Sequence, residues 1–218
     1  MVMILLISVL GSAAAQEKDR FGKDKDEKVT SGGLAVQFDG TTLLIHNVDG
    51  FHSRPGFGLS VGGFVDFKIT DRLVIQCNMY ANREQSLLFR SDRSGQMFTY
   101  GLSIPVCVLA RIDRGKKGIW YVGGGPYTEF VLGCRTDLGS GVFNPYTQVV
   151  GTDAEGNDIF ALSNSNSGLN IKLTYEFIFH LQLSLSAAMS ITDILGYDHF
   201  GCWIRPARTS ISVAYRFR

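Results

Sequence analysis

The most regular feature of the chain is an alternation of apolar and polar residues that recurs over most of its length. It is clearest at residues 169–177, where every odd position is apolar and every even position is polar. A period of two residues is typical of β-strands with one apolar and one polar face. The pattern predicts eight strands, at 33–46, 55–69, 72–83, 97–112, 118–132, 168–177, 180–191 and 206–217.

The lengths of these strands and of their connections indicate how they are arranged. Most strands have ten or more residues, which is long for a globular sheet and suits tilted strands that cross a membrane. Short connections at 70–71, 113–117 and 178–179 alternate with longer ones at 47–54, 84–96, 133–167 and 192–205. Membrane barrels combine an even strand number with short periplasmic turns and longer outer loops. We therefore expect an all-β, eight-stranded antiparallel up-and-down transmembrane β-barrel with both termini in the periplasm.

Alternation alone does not show which face is buried, and a soluble eight-stranded barrel of the lipocalin type would share the pattern with its apolar face inward. The polar faces contain Asn, Gln and Ser as often as Lys and Glu, which suits a packed interior better than a solvated exterior. Aromatic residues also gather near the strand ends, where membrane barrels have interfacial girdles. These are Phe57, Phe67, Phe98, Trp120, Tyr121, Tyr175, Phe177, Tyr215 and Phe217. Both features favour a barrel in the outer membrane of a Gram-negative bacterium, in contact with its lipid.

The N-terminal segment predicts export. Residues 1–10 are mostly apolar and Ala13-Ala14-Ala15 supplies a small-residue cleavage site, so 1–15 is predicted to be a signal peptide. No Lys or Arg precedes the apolar run, and a buried first strand or helix is the alternative. The mixed-charge run that follows cannot bury enough apolar surface to order itself. We expect residues 16–31 to form a flexible, charged periplasmic leader and residues 32–218 to form the barrel.

Net charge and mean hydropathy argue against two other classes, a nucleic-acid-binding protein and a bundle of membrane helices. The net charge of +1 gives no indication of nucleic-acid binding. The mean hydropathy of +0.09 is too polar for a bundle of membrane helices, but it suits a barrel in which only alternate residues face lipid.

Charged residues on the polar faces are the candidate interior site. Eight strands leave an interior just wide enough for side chains, and charges buried there must pair. The candidates are Asp66, Lys68, Arg111, Glu129, Lys172, Glu176, Arg208 and Arg216. We expect them to form a plug of salt bridges and hydrogen bonds, with a narrow gated pore or a small-ligand pocket as the alternative.

Four cysteines are present without C-x-x-C spacing, so neither a zinc site nor a thioredoxin-type site is indicated. Cys134 and Cys202 fall in predicted outer connections, and export would bring them to an oxidising compartment, so a disulfide between them is one hypothesis. Cys77 is expected to face lipid and Cys107 the lumen.

No segment of the chain has the spacing of a catalytic motif. His46, His52 and His199 fall in or beside outer loops, and a surface metal site there is a remote alternative. No helix is predicted after Gly123-Gly124-Gly125-Pro126, so these glycines indicate tight curvature or close backbone approach rather than phosphate binding. We expect no enzymatic activity, no metal and no cofactor.

Several segments resemble the PorT-like outer-membrane β-barrel family. Residues 102–111 (LSIPVCVLAR) are similar to its I-P-L-L-L-K-Y strand, and 120–127 (WYVGGGPY) to its Y-x-G-x-G-P-Y strand. Residues 168–170 (GLN), 190–195 (SITDIL) and the ending 213–217 (VAYRF) also fit. The resemblance covers roughly residues 55–218.

This resemblance implies an outer-membrane barrel inserted by the barrel-assembly machinery, which recognises an aromatic-terminated last strand. Here that signal would comprise Ile211, Val213, Tyr215 and Phe217, although Arg218 follows it. Members of the family mostly lack an assigned activity, and some are linked to secretion or gliding machinery.

The expected function is therefore that of an integral outer-membrane barrel with a structural or interaction role and a plugged lumen. The long outer loop at 133–167 is rich in Gly, Asn, Ser, Thr and Asp. A loop of this length is commonly functional, and it is the expected contact for an extracellular partner or a secretion complex. A narrow transport pore or secretion-apparatus subunit is the alternative, and a soluble lipocalin-like barrel that binds an apolar ligand is a further one.

Overall fold

The computed structural model describes residues 30–47, 52–90, 93–113, 118–137, 142–152, 158–195 and 201–217. The predicted signal peptide and leader up to residue 29 lie outside the described residues, whereas residues 30–31 already belong to the first strand. The strands are β1 (Thr30–His46), β2 (His52–Thr70), β3 (Leu73–Arg90), β4 (Arg93–Asp113), β5 (Gly118–Asp137), β6 (Val142–Phe143), β7 (Val149–Thr152), β8 (Asp158–Phe160), β9 (Ser165–Phe177), β10 (Leu181–Ser190) and β11 (Trp203–Phe217).

Eight long strands close into a ring. Their order is β1-β2-β3-β4-β5-β9-β10-β11, each pair is antiparallel, and β11 pairs with β1 to complete the circle. This confirms the predicted eight-stranded up-and-down barrel. The short strand β6 pairs with the end of β5, and β7 and β8 form a separate hairpin. Among the residues described, no helix is long and apolar enough to cross a membrane.

The apolar faces of the long strands point outward and the polar faces point inward. In β9, Ile171 is 66% exposed whereas its neighbour Lys172 is 9% exposed, and the same alternation recurs in the other long strands. A lipocalin-like barrel would have the opposite arrangement, so that alternative is wrong. A continuous apolar band around the outside is stable only against lipid, because water would leave it exposed as one large patch.

At one end of the barrel the strands continue beyond their predicted limits. Because β3 ends at Arg90 and β4 begins at Arg93, they are joined by residues 91–92 rather than by the predicted loop 84–96. The strict alternation of short and long connections is therefore wrong at this hairpin. The outward face turns polar at Arg83 and Gln85, but the ladder continues because backbone hydrogen bonds do not depend on side-chain polarity.

Two local features explain irregularities in the sequence pattern. Phe64 occupies an inward position of β2 because its ring lies against Gly33 on β1, where a Cβ would come within 2.5 Å of the ring. In β5, a Cβ at Gly123 or Gly125 would overlap a carbonyl oxygen of β4. The predicted close backbone approach at the glycine run is thereby confirmed.

An aromatic band surrounds part of the barrel at the end where β9 turns into β10. The ring of Tyr175 lies 4.8 Å from those of Trp120 and Phe177, and Phe177 stacks on Phe179 at 5.3 Å, measured between centroids. Tyr121, which was predicted to join this girdle, is buried on the inward face instead. Rings of this kind are typical of the level of lipid head groups.

The outward faces lead to a prediction about depth in the membrane. Ile171 lies at the middle of β9, whereas Ile178, with 68% exposure, lies in the turn beyond its end. We expect Ile171→Lys to lower the free energy of unfolding in bilayers by about 2–4 kcal/mol, because a lysine there faces the hydrocarbon. The matched control Ile178→Lys should cost less than about 1 kcal/mol. Urea titration followed by gel mobility measures both, and equal small effects would contradict a membrane-facing surface.

Candidate functional site

The inward faces carry two charged networks, and the first is organised by Arg208 on β11. Its Nη2 atom forms salt bridges with Glu84 on β3 and with Glu129 on β5, the latter at 2.6 Å. Within the described residues, Arg208 is the only cation that contacts either glutamate. We call Arg208, Glu84, Glu129 and their hydrogen-bond partners the Arg208 network.

Neutral side chains complete this network. Asn82 donates from Nδ2 to Glu84 Oε1 at 3.0 Å and to Glu129 Oε1 at 2.5 Å, and Thr41 donates to Glu84 Oε2 at 2.9 Å. The buried carboxylates therefore accept from both a guanidinium and uncharged donors. These contacts offset the cost of burying the two carboxylates, while Asn82 Oδ1 and Arg208 Nε have no hydrogen-bond partner among the described residues.

Asp39 on β1 lies beside this network and has no cationic contact among the described residues. Its Oδ1 accepts from Gln37 at 2.7 Å and from Ser210 at 2.6 Å, and its Oδ2 accepts from Ser60 at 2.5 Å. Three neutral donors from three strands thus solvate one buried carboxylate, which ties β1, β2 and β11 together.

The second network is organised by Arg216, eight residues further along β11 towards the chain end. Its Nη2 lies 2.5 Å from Asp66 Oδ2, its Nη1 lies 2.5 Å from Glu176 Oε2, and Nη1 also donates to the Tyr121 hydroxyl at 3.1 Å. We call this the Arg216 network. It draws β2, β5 and β9 towards β11.

Lys172 extends the Arg216 network across the lumen. Its Nζ donates to Gln76 Oε1 at 2.6 Å, and Gln76 in turn donates from Nε2 to Asp66 Oδ1 at 2.8 Å. Gln76 thus links Lys172 on β9 to Asp66 on β2 through two hydrogen bonds. With two cations and two carboxylates, this network is formally neutral.

A small cavity lies between the networks. Its volume is about 30 Å³, and its lining includes Tyr80, Tyr127, Asn78, Lys172 and Arg208. A single water needs roughly 10–15 Å³ measured in this way, so there is room for about two water molecules. The space suits bridging water rather than an organic ligand.

The interior becomes apolar towards the end of the barrel where β3 and β5 end and β4 begins. Leu43, Leu88 and Met97 point inward from β1, β3 and β4 and pack with Leu162 and Ile194, which come from the connections. We call these five residues the outer apolar cluster. It lies in the lumen beyond the Arg208 network, and its side chains offer no polar atoms to ions or water.

Backbone hydrogen bonds hold the two connections in this position. Ser163 N donates to Ile194 O at 2.7 Å, and Ile194 N donates to Ile204 O at 3.0 Å. The Asp193 carboxylate accepts from the amides of Leu195 and Ile204. Tyr146 packs against the cluster, and burial raises the pKa of its phenol above the ordinary value.

The structure brings six of the eight predicted interior charges into the two networks. The other two, Lys68 and Arg111, lie at the end of the barrel opposite to the outer apolar cluster. Lys68 forms a 3.0 Å salt bridge with Asp71 in the exposed turn after β2, and this bond lowers the pKa of Asp71. Arg111 is half-buried near the end of β4. The six in the networks are Asp66, Glu129, Lys172, Glu176, Arg208 and Arg216.

Asp39 and Glu84 are interior charges outside the eight candidates. Asp39 lies beside Gly40 in the predicted strand 33–46 but is not among the eight candidates, and Glu84 falls in the predicted connection 84–96. For Asp39 the signal is present, since Gln37, Asp39 and Thr41 alternate with less polar residues, as in other inward faces. A glycine next to a polar residue does not interrupt a strand when its backbone can pair.

The cysteines and histidines occupy separate positions. All four cysteines are unpaired, and the disulfide considered between Cys134 and Cys202 is not formed. Cys134 belongs to β5 and its Sγ lies 3.7 Å from Thr136 Oγ1, whereas Cys202 donates to the Asn47 carbonyl at 3.0 Å. Cys107 is fully buried on the inward face.

The histidines considered for a metal site do not form one in the part of the chain that the structure describes. His46 stacks on Trp203 with centroids 5.2 Å apart, and His52 is exposed at the start of β2. His199 lies outside the described residues. No group of three or more His, Cys, Asp or Glu side chains suited to a metal ion occurs among the described residues.

Outward apolar faces around a closed ring with a charged, hydrogen-bonded interior define a transmembrane β-barrel. The chain matches the family described as "Outer membrane protein beta-barrel domain" over residues 26–196, and it belongs to that family. It is a protein of the bacterial outer membrane. No curated protein is similar enough in sequence to match it.

Several solved structures are similar to this chain. Ail, the attachment invasion locus protein of Yersinia pestis, is 11% identical, with coverage of 86% of this chain and 98% of that one and a TM-score of 0.42. The outer membrane protein OprG from Pseudomonas aeruginosa is 11% identical, with coverage of 87% and 94% and a TM-score of 0.46. Neisserial surface protein A is 14% identical, with coverage of 84% and 97% and a TM-score of 0.41.

The Arg208 network leads to a prediction about stability. We expect Arg208→Met to lower the free energy of unfolding in bilayers by about 3–5 kcal/mol, because two buried glutamates lose their cation. The compensated variant Arg208→Met/Glu84→Gln/Glu129→Gln should recover most of this loss, since no unpaired charge remains. Urea unfolding monitored by gel mobility measures both variants. A single substitution that costs less than about 1 kcal/mol would show that the network does not hold the interior.

Proposed function

We propose that this protein is a closed outer-membrane barrel with a structural or interaction role, and that it does not conduct solutes and is not an enzyme. The observation that supports this most strongly is the filling of the lumen. Two charged networks cross it, about 30 Å³ of space remains in the cavity between them, and the outer apolar cluster lies above both. A solute would have to break buried salt bridges and then pass an apolar seal.

We further propose that the end with the outer apolar cluster faces the cell exterior and that both chain termini face the periplasm. The connections at the opposite end are short, at 71–72, 114–117 and 178–180, whereas 138–164 and 191–202 are long. Short periplasmic turns and longer outer segments are the rule for barrels of this kind.

The interaction role is supported by apolar side chains on the long outer connection. Val142, Phe143 and Val149 are exposed, and β6 pairs with the end of β5 at Thr136 and Asp137, beyond the exposed apolar Leu132. At this level the surroundings are aqueous, so an exposed apolar group is best explained by a protein partner. An extracellular protein or a neighbouring subunit of a secretion complex fits this surface.

We also propose that the chain belongs to the PorT-like branch of its family and is inserted by the barrel-assembly machinery. The resemblance of β4, β5 and the final strand to PorT-like sequences supports the first statement. The second is supported by β11, the last strand of the ring, whose outward face ends with aromatic residues. That face comprises Ile211, Val213, Tyr215 and Phe217, all of them exposed.

Planar-bilayer recording tests the closed lumen. We expect the refolded protein to insert without producing discrete conductance steps, because ions would have to cross both charged networks and the apolar cluster. A channel-forming porin inserted in the same bilayers serves as the positive control. Reproducible single-channel steps from folded protein would contradict the closed lumen and favour the alternative function, a narrow transport pore.

Site-specific photo-crosslinking tests the interaction surface. A photoreactive amino acid in place of Phe143 should yield a discrete protein adduct in the native bacterium, because this position is exposed above the lipid. The matched control is the same amino acid in place of Ile171, which faces lipid and should yield no protein adduct. Identical patterns at the two positions, or none at 143, would argue against a partner on this connection.

A further inference from the structure

Among the described residues, the arginines at outward positions of the long strands all lie in one half of the barrel. Four arginines occupy such positions. They occur on β2, β3, β5 and β11, each in the half that carries the long connections: Arg54, Arg83, Arg135 and Arg205. Arg72, in contrast, lies in an exposed turn at the other end, so the grouping of the four is a property of the strand surface near one side of the membrane.

Two of these arginines border one surface cavity. Arg83 on β3 is in register with Tyr100 on β4, and Arg135 on β5 is in register with Phe98 on β4. The two arginines therefore flank β4 from either side, on strands about 10 Å apart. The cavity has a volume of about 410 Å³, and Gln96 also lines it.

The aromatic rings of β4 hold one of these guanidinium groups near the surface. The Cζ atom of Arg83 lies 5.6 Å from the Phe98 centroid and 5.7 Å from the Tyr100 centroid. Among the described residues Arg83 forms no salt bridge, so its charge is available to a ligand. Asp137 also lines the cavity, and the two arginines leave the lining with a net positive charge.

Apolar side chains continue directly below the cavity. Met79 on β3 and Phe130 and Leu132 on β5 are exposed on the outward faces of the same strands. A ligand seated here would therefore place an anionic group among the arginines and hydrocarbon along the strands. Free phosphate would use only the first of these two features, whereas a lipid uses both.

We propose that this cavity binds the phosphate groups of a glycolipid in the outer leaflet. Arginine suits this role because its planar guanidinium donates two parallel hydrogen bonds to phosphate oxygens and also stacks on aromatic rings. The inference rests on the proposed orientation of the barrel but is independent of the closed lumen. It assigns the outer end of β3, β4 and β5 a lipid-binding role.

The test compares lipid retention by folded variants. Wild-type protein, Arg83→Gln/Arg135→Gln and the control Arg72→Gln are refolded in phosphatidylcholine nanodiscs that contain diphosphorylated lipid A in both leaflets. Arg72 is an exposed arginine in the turn at the opposite end of the barrel. Native mass spectrometry measures lipid A retained per barrel, and gel mobility shows that each variant is folded. If the double variant does not fold, Arg83→Gln and Arg135→Gln give the same comparison singly.

We expect wild type and Arg72→Gln to bind lipid A at least tenfold more tightly than Arg83→Gln/Arg135→Gln. Lipid A from which both phosphates have been removed should bind the wild type as weakly as intact lipid A binds the double variant. Equal retention by wild type and double variant would overturn the proposal. So would displacement by inorganic pyrophosphate at the concentration of lipid A itself, which would indicate a site for free phosphate. Because both leaflets carry lipid A, a failure here leaves the orientation and the conductance test unaffected.

Discussion

The interior of this barrel depends on one electrostatic constraint, which is that two glutamates on β3 and β5 share a single arginine. Glu84 and Glu129 reach the same Nη2 atom of Arg208 from strands on opposite sides of β4. Without that cation the two carboxylates would repel each other in a medium of low polarity. Because each member comes from a different strand, the contact fixes the relative positions of β3, β5 and β11.

Other features of the lumen are arranged around this contact. Below it, Arg216 repeats the arrangement with Asp66 and Glu176, and Lys172 joins that network through Gln76. Above it the polar lining stops, and Leu162 and Ile194 from the connections occupy the mouth. Polar groups therefore pair in the middle of the barrel, and apolar groups pack together at the end with the long connections. This sequence of layers is the basis of the proposed closed lumen.

Much of this architecture follows from local periodicity. Alternation at positions such as Ile171 and Lys172 predicts both the strand and its two faces, because side chains on a strand point alternately to opposite sides. The same reasoning identifies Arg208 and Arg216 as inward. It fails at Glu84, where the outward neighbours Arg83 and Gln85 are polar and hide the alternation. In that segment the strand persists through backbone pairing, which leaves no trace in side-chain polarity.

The outer apolar cluster could not be predicted in this way. Leu162 and Ile194 lie in segments with no periodicity, and their burial arises from contacts with strands that are distant in sequence. The disulfide hypothesis failed for a related reason, since Cys134 belongs to an extended β5 rather than to a loop. The position of a loop residue depends on tertiary contacts, whereas the direction of a strand residue depends on its neighbours along the chain.

The shared cation can be measured directly by solid-state NMR of the protein in lipid bilayers, as the distance from the Arg208 guanidinium nitrogens to the carboxyl carbons of Glu84 and Glu129. Charge-assisted hydrogen bonds to both glutamates predict nitrogen-to-carbon distances of about 4 Å in each case. If either carboxyl group lies well beyond that distance, the two glutamates do not share Arg208, and the account of how the lumen is closed is wrong.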